Sequence, residues 1–472
     1  MKGVGGQEGT DGARDIVRQA GSEWNRQPGR SRARRACFKM TLETLSSIDR
    51  NLQRLRSVGM PDEMWAEAER GLCLSAEPAV NTHIHLPPNF SAFERMEQAV
   101  HLAARQDVKL LGASNYYDYS IYPSFAALAL ASGIYPLFGL EILCLLEDLK
   151  RAGILVNDPA NPGRMYLCGK GITRFGAMTA EAARLLGIMR RNDEWRIRKM
   201  IRLLSEVFEQ RGLAVGLDPE MVLERVVRRH GVAQETVTLQ ERHVAQVFQQ
   251  ELFRLVPEAG RSAALARILA VPSQDVPQDE VRIQNAIRAH LMKIGKPAFV
   301  EESFLSFQEA RRLILELGGI PCYPTLADGT SPVCAHEDPP EKLIGTLLAQ
   351  RIFCAEFIPL RNEPQVLQRY VHTMRSAGLV VTAGTEHNTL DLVAMSPRCV
   401  RCLPVPASVR EIFVEGAYVV VAHQYLQLHG RCGYVDDRGE LNPAFASTEE
   451  RIARFRRLGA AVVARQLAAQ SP

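Results

Sequence analysis

The strongest constraint on the fold is a rhythm. Between Ala79 and Leu145, short apolar stretches alternate with amphipathic ones at steps of about 25 residues. In "AVNTHIH" side chains alternate across a strand, with Val80, Thr82 and Ile84 on one face and Asn81, His83 and His85 on the other. "SAFERMEQAVHLAARQDV" predicts a helix with Phe93, Met96, Val100 and Ala103 on its apolar face, and Ser91 and Glu94 have capping-box spacing. "KLLGAS" is a second strand, "YPSFAALALASG" a second helix closing at Gly133, and "IYPLFGLEIL" a third strand. Strand and helix in this alternation predict parallel βα units, whose reactive side chains gather at the C-terminal strand ends.

The rhythm breaks over residues 176–300, which read as nearly all helix. Ile197, Ile201, Leu204 and Phe208 form one stripe, and Thr238 and Glu241 make a second capping box before "HVAQVFQQELFRLV". The βα pattern returns with "SFQEARRLILELGGIPCYP", "IFCAEFIPL", "EPQVLQRYVHTMRSAG" and "LVVTAGTEHN". The expected organisation is a basic leader over 1–39, a helical lead-in over 40–78 and a first barrel part over 79–175. A helical insertion over 176–300 follows, then a second barrel part with a C-terminal helix over 301–472.

Composition narrows the class. Of 472 residues, 46% are hydrophobic and 23% charged, which suits a globular protein, and no run of 18 apolar residues predicts a membrane span. The first 39 residues hold nine basic and four acidic side chains, so the rest is almost neutral, with 48 basic against 49 acidic. A neutral body gives little attraction for nucleic acid. "LERVVRRHGVAQETVTLQERHVAQVF" has a helix-turn-helix look with Gly231 in the turn, but Glu224, Glu235 and Glu241 dilute its arginines. The ten cysteines are scattered, and "CVRC" at Cys399 and Cys402 has no second pair, so free thiols in a reducing, cytoplasmic compartment are expected.

Chemistry concentrates at predicted strand ends: His83 and His85, Glu141, and Glu386 with His387. Imidazole and carboxylate together suit Zn, Mn or Fe. An alternating pair of histidines alone is more often structural than ligating; the recurrence of polar side chains at one level of a barrel strengthens the metal reading.

These motifs together resemble the polymerase and histidinol phosphatase (PHP) family. "NTHIH" is similar to its D-x-H-x-H opening, "GIYPLFGLEI" to its Gly-x-Glu strand, "GGIPCYP" to its "HP" strand and "AGTEHN" to its closing G-S-D-x-H. The resemblance covers about residues 79–175 and 301–430. It implies an α/β fold, a distorted (β/α)7 TIM-type barrel, here carrying an all-helical insertion domain. It also implies metals at the barrel mouth and phosphoester hydrolysis. His83 and His85 match the first metal pair, Glu141 the bridging carboxylate, and Glu386 and His387 the final acid and histidine. The family's acid and histidine after the second strand are replaced by Ser114, Asn115 and Tyr116, and its "HP" histidine by Tyr323. The expectation is therefore one or two divalent ions rather than three. Catalytic roles fall to Glu141 and Glu386, and metal ligation to His83, His85, Glu141, Glu386 and His387. Substrate contacts fall to Lys170, Arg361, Tyr116, Tyr323 and Asp328, with Asp118 and Asp328 near enough in sequence to replace lost ligands. The implied function is a metal-dependent phosphoesterase acting on a small phosphorylated metabolite. The alternative is a barrel that binds a ligand or protein partner without catalysis.

Overall fold

The computed structural model describes residues 52–469. The basic leader and the start of the helical lead-in, up to residue 51, lie outside the described residues.

Eight strands form one sheet: β1 (Ala79–Ile84), β2 (Val108–Ala113), β3 (Tyr135–Leu145), β4 (Arg164–Lys170), β5 (Leu305–Ser306), β6 (Ile320–Thr325), β7 (Cys354–Phe357) and β8 (Val380–Ala383). Their order is β1-β2-β3-β4-β6-β7-β8, and β5 pairs with β3 at its end. Beyond β8 the chain returns to β1: His85 N donates to Glu386 O (2.8 Å) and Glu386 N to His83 O (2.9 Å). This parallel bridge nearly closes the sheet into a barrel. The molecule is thus a mixed α/β protein of TIM-like barrel form with many helices.

The expected parallel alternation needs one correction. β4 runs antiparallel to both β3 and β6. The chain between β3 and β4, which includes the short helix Glu147–Arg151, folds back on itself, with Leu146 N donating to Gly163 O (2.8 Å), so β4 comes back alongside β3 in the opposite direction. The sequence reading assigned no strand to "RMYLCGK".

Both faces of β1 are buried, one against the flanking helices and one in the barrel interior. Outside the barrel the helices Met96–Arg105, Tyr122–Ala131, Phe307–Glu316, Pro340–Ala349 and Pro364–Ser376 follow the rhythm of the sequence. The first starts later than the Ser91–Glu94 spacing suggested, and Gln98 caps it, its Oε1 accepting from Glu94 N (2.8 Å) and Arg95 N (3.3 Å). Ser91 instead donates to His85 O (2.8 Å) and holds the loop after β1. Glu241 likewise is not a capping partner of Thr238: Gln240 and His243 cap that helix, and Glu241 serves in ion pairs.

A second hydrophobic core, from Ile197 to Val300, is built by the helices Ala180–Gln210, Pro219–His230, Glu241–Leu255, Glu258–Leu269 and Glu280–Ile287. Within it, the helix Glu241–Leu255 buries His243 through Gln249. Among the described residues no helix is long and apolar enough to cross a membrane. The nine described cysteines are all free, with Cys399 buried and Cys402 exposed.

Candidate metal centre

β1 ends in the alternation that sets His83 and His85 on one side of the strand, and β3 brings Glu141 to meet them. Glu141 Oε2 lies 3.0 Å from His85 Nε2 and 3.4 Å from His83 Nε2, and the two Nε2 atoms are 3.4 Å apart. All three residues are buried. A tetrahedral ion with bonds of about 2.0–2.1 Å separates its ligands by about 3.3–3.4 Å, and an octahedral one by about 3.0 Å. The observed triangle therefore has the size of one face of a coordination polyhedron.

The hydrogen bonds point the same way. Glu141 Oε2 is buried at ion-pair distance from both rings, yet makes no hydrogen bond of normal direction. His83 Nδ1 faces Glu356 Oε1 at 2.7 Å, so its proton sits on Nδ1 and the Nε2 lone pair points at His85 and Glu141. With both rings neutral, His83 Nε2, His85 Nε2 and Glu141 Oε2 offer one cation three converging ligand atoms. A carboxylate behind a ligating histidine is the usual support of a metal-bound imidazole. The donor set fits a divalent ion.

Glu356 was missed by sequence reasoning. It sits mid-strand in β7, fully buried, and receives His83 Nδ1, Thr82 Oγ1 (3.1 Å) and the Lys170 ammonium. The available signal was a lone acid in the apolar run "IFCAEFIPL". Burial alone would raise its pKa, but Lys170 and His83 hold it down to about 2. Burial likewise opposes charge on His83, and the Glu356 carboxylate outweighs it and raises the imidazole well above its ordinary range. Glu141 is pushed up by burial and pulled further down by His83 and His85, ending well below the usual carboxylate range.

A second convergent set comprises His83, Cys168 and Glu356, whose donor atoms lie within 4.8 Å of one another. Lys170 already occupies it. Its ammonium pairs with Glu356 and also reaches Thr82 O (3.3 Å). Lys170 is thus neither a solvated loop lysine nor a cation facing the mouth: it is buried in the barrel, and its partners hold its pKa up against the effect of burial.

Glu386 and His387 follow β8 at φ +57° and +50°. Two successive non-glycine residues in the left-handed region cost about 1–2 kcal/mol each, and such strain tends to collect at functional sites. Glu386 accepts from Asn388 Nδ2 (2.7 Å) and pairs with Arg361, the latter partly exposed. Glu386 and, more weakly, Glu141 favour the charged form of the Arg361 guanidinium. His387 is in neither convergent set: its Nδ1 meets Thr385 Oγ1 (2.8 Å), its Nε2 meets Val393 O (3.2 Å), and its ring stacks on Phe93 at 4.9 Å. It reaches an ion only by giving up those bonds.

The remaining expected contacts divide. Tyr116 stacks on His85 at 5.0 Å and 11°, half-buried at the mouth. Tyr323 is buried and donates to Glu337 Oε1 (2.8 Å), so its hydroxyl is structural. Asp328 accepts from Asn362 Nδ2 (2.9 Å) and Glu363 N (3.0 Å). Asp118 pairs with Arg190 and accepts from Ser120 N (2.9 Å). Neither aspartate takes a lost ligand position. Asn115, where the family resemblance expects a ligand, bonds the Leu86 backbone through both its Oδ1 and its Nδ2.

No family model and no curated protein matches this chain. Among solved structures it is similar to an amidohydrolase from Chromobacterium violaceum, at 15% identity and TM-score 0.46. It is also similar to a protein from Bifidobacterium adolescentis described as a metal-dependent phosphoesterase, at 15% identity and TM-score 0.48. Each match covers 71% of this chain and 96% of the other.

Proposed function

We propose that this chain is a metal-dependent hydrolase acting on a small phosphorylated metabolite. One observation carries the reading: His83, His85 and Glu141 present three converging ligand atoms, with the Glu356 carboxylate behind His83. When bound, a divalent ion there supplies a water acidified toward neutrality and a Lewis acid for a phosphoryl oxygen. Glu356 fixes the tautomer and orientation of His83. Lys170 balances the charge of Glu356 and keeps it from competing as a ligand, which favours a single ion over two. Glu386, paired with Arg361 and outside the convergent triad, would in this reading hold a proton leaving the attacking water. Arg361, partly exposed, is placed to receive phosphoryl oxygens. Tyr116 covers one side of the His85 ring and excludes water there.

The test is hydrolysis of a panel of phosphomonoesters and phosphodiesters by protein loaded with Zn, Mn or Fe, beside Glu141→Gln. The proposal predicts turnover that chelation abolishes and that Glu141→Gln lowers by about 100-fold or more. A second reading, a metal-binding barrel without catalysis, is favoured by the near-complete burial of the triad and by the structural use of Asn115 and Tyr323. Retained metal with no turnover on any panel member selects it.

A further inference from the structure

The helical layer meets the barrel at its mouth. Phe90 N, in the loop after β1, donates to Gln240 Oε1 (2.6 Å), and His230 Nδ1 lies 2.8 Å from Glu94 O. Gln240 caps the helix Glu241–Leu255, so the next arginine, Arg242, hangs over the same loop, its guanidinium 5.9 Å from the centre of the Phe90 ring. A cleft opens here, lined by Phe90, Arg242, Gln284, Arg288 and Leu390 among others. Its enclosed part holds about 10 Å³, room for one water, and it widens to about 220 Å³ including the solvent above.

The charges around this cleft are unevenly paired. Arg196 (2.9 Å), Lys293 (2.6 Å) and Arg288 (3.4 Å) share Glu241, and Arg196 also has Asp193 (3.3 Å) and Glu302 (3.8 Å). Arg288 Nε is buried and has no hydrogen-bond partner. Arg242 has no ion pair with a carboxylate among the described residues, and it faces Arg288, a like charge. Burial and Arg288 press the Arg242 pKa down to about 10, while Tyr116, Glu386 and Tyr166 work the other way. Arg242, which has no carboxylate partner, and the Nε of Arg288, left over beyond that residue's bond to Glu241, stand beside the amides of Gln284 and Asn285, and an anion with several acceptor oxygens would satisfy both.

We infer that the cleft between Arg242 and Arg288 is an anion subsite that takes a phosphate group of the substrate, with one oxygen inside the cleft and the rest at its rim. This rests on the reading of the chain as a phosphoester hydrolase, and it assigns the helical layer a part in recognition. The test uses the full chain stripped of metal by chelation and titrated with inorganic phosphate at low ionic strength, followed by calorimetry. Wild type is compared with Arg242→Gln and Arg288→Gln. Arg282→Gln, an exposed arginine paired with Asp279, serves as control. The expected result is saturable binding to wild type, a loss of about tenfold or more in Arg242→Gln, and no change in the control. Arg242→Gln breaks no ion pair, so its melting temperature should match wild type even where Arg288→Gln is destabilised. Equal affinity in wild type and Arg242→Gln, or no phosphate binding by wild type, overturns the inference. The metal reading fails separately: a His83→Ala, His85→Ala variant holding as much metal as wild type sinks that reading while leaving the phosphate titration intact.

Discussion

Glu356 Oε1 lies 2.7 Å from His83 Nδ1, on the side of the ring away from Glu141, and the same carboxylate carries the Lys170 ammonium. The barrel interior therefore holds a relay of charge behind the metal ligands. Glu356→Gln should weaken metal binding by about 10–100-fold, because His83 loses its orienting acceptor. It should also cost about 3–5 kcal/mol of stability, because Lys170 is left buried without a counter-charge. The double change Glu356→Gln, Lys170→Met should recover much of the stability but not the metal affinity. Denaturant titration and competitive metal titration separate the two effects. Equal metal affinity in wild type and Glu356→Gln would remove Glu356 from the site.

Gly384 packs against His83 so closely that an added Cβ would sit 2.3 Å from the His83 Cβ and 3.0 Å from its backbone. No side-chain motion relieves a clash with those atoms. Gly384→Ala should cost about 1–3 kcal/mol and displace His83, so metal affinity should fall with stability. Thermal unfolding with and without added metal reads both; an alanine variant as stable as wild type contradicts the packing described.

His423 lies in the helix Ala407–Leu428, fully buried, with Tyr434 N donating to its Nδ1 (3.0 Å) and its Nε2 facing Gly318 O (2.9 Å). Both bonds require the neutral ring, and burial lowers its pKa to about 4. The unfolded chain protonates this histidine near 6.5, so between pH 6.5 and 4 the unfolded state binds more protons than the folded one. The stability due to the neutral ring is complete above pH 6.5 and lost as pH falls toward 4, by about 3 kcal/mol in all. His423→Gln should be less stable at pH 7 but flatter across that window by a similar amount. Denaturant unfolding at several pH values checks the slope; parallel curves for the two proteins would contradict the assignment.

Much of the barrel was legible because its strands and helices carry their own periodicity. "AVNTHIH" showed which side chains share a face, and the structure sets His83 and His85 together on that basis. The antiparallel β4 was not legible, since a short strand buried in the sheet carries no alternation that reveals its direction. Glu356 was hidden for a related reason. A single acid in an apolar strand does not announce its partners, and His83 and Lys170 are 273 and 186 residues away in sequence. Lys170, a cation in "CGKG", and Tyr323, at the position of the resembled family's histidine, looked like substrate contacts, but their side chains meet buried carboxylates. Arg242 stood in a stretch noted for its mixture of arginines and acids, and only the packing of the helical layer over Phe90 shows what it faces.

The most direct test of the account is the metal content of purified protein by elemental analysis, wild type beside His83→Ala, His85→Ala. The account predicts about one divalent ion per wild-type chain and almost none in the variant, with the variant still folded by circular dichroism. Equal metal in both proteins, or a folded wild type that takes up no divalent ion when one is supplied, would contradict it.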